Sequence, residues 1–80
     1  MSFWQVPCTV HFKNGDRQPA LIAGIGESIE QLDYSSAFQE SPQGSSTLLV
    51  LLSTDKDEVF IVNVKSILMV EIRKEEAVPL

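Results

Sequence analysis

Three apolar runs crowd the last third of the chain. Ser46–Ser53 reads STLLVLLS, Glu58–Val64 reads EVFIVNV and Ile67–Arg73 reads ILMVEIR. Neighbouring side chains of a strand point to opposite faces, so the unbroken Leu48–Leu52 stretch needs cover on both. Eighty residues form one domain near the lower limit for unaided folding. So short a chain has little mass to cover two faces of a sheet. The pattern implies a small, oligomeric β-barrel that borrows part of its cover from another subunit. It points away from an enzyme.

Trp4, Val6, Cys8, Val10 and Phe12 alternate with Gln5, Pro7, Thr9, His11 and Lys13. A period of two predicts a half-buried first strand, in which Pro7 signals an edge or a late start to regular pairing. Asn14-Gly15 predicts a tight primed hairpin turn, because both residues tolerate positive φ. The second strand is expected over Arg17–Ile25, with Ala20, Leu21, Ile22, Ala23 and Ile25 mostly buried and Pro19 marking a bulge or an edge. Gly24 and Gly26 bracket Ile25 and would let the chain bend or change sheets.

Glu27–Ser35 fits a short helix, with Ser28 as its N-cap, or an irregular arm. Ser36–Ser46 reads as a flexible loop by composition. Ser46–Thr54, Glu58–Val64 and Ile67–Arg73 complete a set of five strands, the last two joined by a one-turn break at Lys65-Ser66. Glu75–Leu80 reads as a loose tail, since Pro79 cannot extend a ladder. The expected fold is mainly β: one domain over residues 1–80, a five-stranded barrel with a long loop or short helical arm after strand two.

Val10–Ile25, carrying Asn14-Gly15 and Gly24, followed by FIVNVKSILMVEI over Phe60–Ile72, resembles the Sm/LSm family. The resemblance implies an SH3-like barrel that pairs edge strands into rings, typically of about five to seven subunits, and binds single-stranded RNA at loop residues. Carried onto this chain, it implies RNA contacts at Lys13, Asn14, Arg17 and Lys65. The chain departs from the family pattern in three places. No helix is expected before Trp4, Gly26–Ser45 lacks a recognisable Asp-x-x-x-Asn pattern, and Val64-Lys65-Ser66 has no glycine.

The net charge of −5 opposes nonspecific attraction to phosphate backbones. One histidine and one cysteine cannot build a metal cage or a disulfide framework within one chain, and no cofactor is expected. His11 is expected on the outward face, solvated or at an interface. Cys8 is expected inward as an inert core thiol, on the opposite face from His11, which argues against a nucleophilic dyad. Asp55, Asp57 and Glu58 read as a solvated turn interrupted by Lys56, not a calcium loop. Gly24-x-Gly26 reads as a bend and not a nucleotide site. Phe3, Tyr34 and Phe38 are the aromatic residues free for base stacking, with Trp4 joining them if its end frays; the Tyr34/Phe38 pair is more simply read as packing the arm.

No stretch of about 18 apolar residues predicts a membrane span, and the N-terminal sequence resembles no secretory signal, so a cytoplasmic protein is expected. The functional expectation is a non-enzymatic, self-associating β-barrel. Leu48, Val50, Leu52, Phe60 and Val62 are its candidate interface. The alternative is an Sm-like single-stranded RNA-binding protein.

Overall fold

The computed structural model describes residues 2–80. Seven antiparallel strands form one sheet: β1 (Ser2–Phe12), β2 (Arg17–Gly26), β3 (Phe38–Glu40), β4 (Thr47–Leu52), β5 (Val59–Asn63), β6 (Ile67–Ile72) and β7 (Val78–Pro79). β1 pairs with β2 along one side, from Ser2↔Gly26 to His11↔Arg17. On its other side it pairs with β6 through Cys8–Phe12 and with β7 through Trp4 and Gln5. β4 joins β2 at Leu21↔Leu52 alone, then diverges to pair with β3; its opposite side carries β5. The sheet does not close. β5 and β6 lie at its two ends.

The alternation of β1 places Val6, Cys8 and Val10 in the core, where Ala20 and Ile22 of β2 and Leu49 and Leu51 of β4 meet them. Complete burial of the Val, Ile and Leu side chains among them contributes about 1.5–3 kcal/mol each. Phe60 and Val64 from one end of the sheet, and Ile67, Val70 and Ile72 from the other, pack against the same cluster. The sheet therefore curls around one core.

Both prolines expected to disturb strands sit in regular register. Phe12 N–H donates to the Asp16 carbonyl at 2.8 Å, which fixes the phase of the β1–β2 ladder. Pro7↔Leu21 and Thr9↔Pro19 are then non-hydrogen-bonded pairs, whose backbone groups point away from the partner strand. Pro7 falls in the interruption between β6 and β7, where its carbonyl accepts from Arg73 N–H at 3.0 Å. The reciprocal bond that Pro7 cannot donate falls just beyond Cys8↔Ile72, where the β1–β6 ladder ends.

Several sequence expectations change. The β1–β2 connection is a three-residue loop, Lys13-Asn14-Gly15. Gly15 N–H donates to the Phe12 carbonyl, and Gly15 alone has positive φ, +96°; this is a type I turn followed by a left-handed glycine, not a primed turn. The arm after β2 holds two short 3₁₀ turns, Ile29–Gln31 and Ser35–Ala37, in place of a helix, and Ser28 makes no side-chain cap. Within the expected flexible loop, β3 pairs with β4 at Phe38↔Leu49 through Glu40↔Thr47. The expected loose tail contains β7: Pro79 lies opposite Trp4 and Leu80 N–H reaches the Phe3 carbonyl. Seven strands thus replace the expected five. No helix among the described residues is long and apolar enough to cross a membrane.

Two backbone positions yield a stability prediction. A Cβ on Gly26 would stand 2.6 Å from the Gln31 carbonyl oxygen, so Gly26→Ala should destabilise by about 1–3 kcal/mol. Lys56 holds φ +66°, a left-handed strain of about 1–2 kcal/mol that glycine relieves at an entropic cost of about 0.5–1. Lys56→Gly should therefore stabilise by about 0.5–1 kcal/mol. Urea midpoints shifting in opposite directions for the two variants are the expected result.

Candidate functional site

The β4–β5 turn is built by one buried hydroxyl. Ser53 Oγ donates to Asp55 Oδ1 and accepts from Glu58 N–H at 3.0 Å. Ser53 N–H donates to the Glu58 carbonyl at 2.8 Å, and Asp57 N–H to Asp55 Oδ1 at 3.1 Å. Asp55 is thus spent on holding the turn. The Ser53 hydroxyl, then the Asp57 amide, lower its pKa below the ordinary 3.8. Across the arm, Ser35 N–H lowers Asp33 in the same way. Among the described residues no group of three or more His, Cys, Asp or Glu side chains is gathered as a metal site would require.

β5 leaves this turn with Phe60 and Val62 half-buried on the core face and Val59 and Ile61 exposed on the other, at 60% and 65% of their full surface. The five expected interface residues therefore divide. Leu48, Val50 and Leu52 lie half-buried on the outer face, registered with Asn63, Ile61 and Val59, whereas Phe60 and Val62 turn toward the core. Where β4 diverges from β2, the outer face forms a groove of about 220 Å³ lined by Leu21, Ala23, Val50, Leu52, Val59 and Leu80, among others. The outer side chains of β4 are apolar throughout, as the unbroken Leu48–Leu52 run predicts, while Gln5, Ser36 and Gln39 stand among the groove's other lining residues.

β6 begins after a 3₁₀ turn, Val64–Ser66, capped by the Asn63 side chain accepting from Lys65 N–H at 2.9 Å. The register shifts from His11↔Met69 to Phe12↔Ile67, so Leu68 is an extra, bulged residue. The bulge turns Ile67 onto the core side with Val70 and Ile72 and leaves Leu68 and Met69 both exposed. A strict alternation across Ile67–Arg73 misses it, and no residue type in this segment marks it.

The expected RNA contacts come only partly together. Lys13 N–H donates to the Ser66 carbonyl at 3.0 Å, so the first loop abuts the Val64–Ser66 turn that carries Lys65. Phe12, Lys13, Asn14 and Ser66 line a concavity of about 210 Å³ there. Asn14 is bonded within its loop, its Oδ1 accepting from Asp16 N–H and its amide donating to Asp16 Oδ2. Arg17 stands exposed, opposite His11. His11 Nε2 meets Glu71 Oε1 at 3.1 Å on the outer face.

Trp4 is engaged, donating its indole N–H to the Gly26 carbonyl at 3.1 Å. Tyr34 lies over Gly24, and Phe38 opens β3, so the two rings share no helical face. Cys8 is fully buried; burial pushes its thiol up to about 11, offset only in part by the charge of Arg73. Comparison with family models, with curated proteins and with solved structures finds no match.

Two outcomes follow. Cys8 should stay unlabelled by a thiol reagent at pH 8 in the native protein and react once urea unfolds it. Asp55, with a folded pKa below its ordinary value, contributes stability that is complete above 3.8 and is lost as pH falls through the folded pKa. Asp55→Asn should be less stable at neutral pH and lose less on acidification, read from urea midpoints across about pH 5 to 2.

Proposed function

We propose that this chain is a non-enzymatic self-assembly module, a curled barrel-like sheet whose open ends are completed by further copies of itself. The carrying observation is the pairing pattern. Among the described residues β5 pairs only with β4 and β6 only with β1, and each presents exposed apolar side chains, Val59 and Ile61 in one case, Leu68 and Met69 in the other. Uncovered strand edges are templates for further pairing. Joining unlike edges head to tail gives a ring when the rotation closes, the Sm-like arrangement; joining like edges gives a two-fold dimer.

The test is size-exclusion chromatography with multi-angle light scattering at micromolar concentration. An oligomeric mass is expected against a chain of 8.9 kDa. Ile61→Lys should lower that mass while leaving the circular dichroism spectrum unchanged, because the side chain is already exposed. A clean monomer for the unsubstituted chain would sink the proposal.

Single-stranded RNA binding is a second reading, supported by the hydrogen bond that sets the Lys13 loop against the Lys65 turn. The net charge of −5 means that several copies must bring these lysines together before they attract phosphate. Binding of short RNA oligomers that weakens from about 50 to 200 mM salt, and weakens further in Lys13→Ala/Lys65→Ala, is the expected sign. Salt-insensitive or absent binding counts against it.

A further inference from the structure

We infer that the partner of β5 is the β5 of a second copy, paired antiparallel across a two-fold axis at Ile61. This rests on the self-association proposed above and specifies its geometry. The Ser53–Glu58 bond sets the phase of the β4–β5 ladder. Hydrogen-bonded pairs alternate with non-bonded ones along an antiparallel ladder, so Leu51↔Phe60 and Leu49↔Val62 are bonded pairs. Val59, Ile61 and Asn63 then direct their N–H and C=O groups away from β4. Among the described residues no strand pairs with β5 on that side.

Residues directly opposite in an antiparallel pair point to the same face. Ile61 opposite Ile61 of the second copy keeps both outer faces on one side and joins their exposed side chains. Val59 of each copy then stands opposite Asn63 of the other. All three positions are in bonding phase, which allows about six interchain N–H···O=C bonds. Sliding the register by two residues keeps only two of the three strand pairs.

The flanks decide the partner. Asp57 and Glu58 precede β5, Lys65 follows it, and Val59–Val64 holds no charge. Among the described residues Asp57 and Lys65 are exposed and form no ion pair within their own chain. Pairing centred on Ile61 brings the turn that carries Asp57 to the end where the second copy's Lys65 turn lies, at both ends, so the edge is complementary to itself in charge. β6 is a poorer partner. Its edge carries the bulge at Leu68 and the charge of Glu71, both features that discourage edge pairing, and Val59–Val64 offers Glu71 no cation.

The test is a charge swap on the full chain, read by light scattering and by sedimentation over a concentration series. The unsubstituted protein should show about 18 kDa, twice the 8.9 kDa chain. Lys65→Asp creates two repulsive pairs per dimer and should raise the dimer dissociation constant about tenfold or more. The double variant Asp57→Lys/Lys65→Asp exchanges the charges and should restore dimerisation, which a merely destabilising substitution cannot do. A ring mass, or a double variant no better than Lys65→Asp, overturns the two-fold pairing and leaves self-association standing. A monomeric unsubstituted protein overturns both.

Discussion

Every long strand of this chain packs against one core cluster, and that single cluster governs the rest. Val6, Cys8, Val10, Ala20, Ile22, Leu49 and Leu51 come from three central strands, yet residues of β5 and β6, at opposite ends of the sheet, reach the same cluster. A sheet can serve one core from both ends only by curling. Curling places the other face outside, and here that face is still apolar along β4 and β5. The chain has satisfied one face and left the second, with its two strand edges, exposed.

The curl also accounts for the short elements. β4 cannot follow β2 beyond Leu21↔Leu52 and still turn its inner residues to the core, so β3 fills the side that β2 vacates. β7 likewise occupies the side of β1 that β6 leaves after Cys8. Pro79 is tolerated because Trp4↔Pro79 lies between Leu80, bonded to Phe3, and Val78 opposite Gln5; its missing N–H points away from β1.

The long elements and the Lys65-Ser66 break were readable in the sequence because their residues carry local signals. Alternation marks β1, unbroken apolarity marks β4, and the split of Val59 and Ile61 from Phe60 and Val62 is an ordinary period of two. β3 and β7 were not readable, since three or two residues have no period and their conformation is imposed by the strand beside them. The Asn14-Gly15 pair located the turn correctly and its type wrongly: Gly15 alone takes the left-handed conformation. The two faces of β5 were half readable. Alternation across Glu58–Val64 separated the two faces of β5, but which face meets the core depends on its register with Leu49 and Leu51, and so on β4.

The two edges differ in a way composition conceals. Both are apolar, and both are followed or preceded by the same 3₁₀ turn. β6 carries a bulge and a charge; β5 is regular and uncharged through Val64. An edge that needed only to stay soluble would carry its charge within the strand, where it blocks a partner. Here the charges flank β5, acidic before and basic after, where they leave the backbone groups of Val59, Ile61 and Asn63 open and favour an antiparallel copy over a parallel one. A parallel copy would set Asp57 near Asp57 and Lys65 near Lys65, a repulsion that would weigh against that direction of pairing.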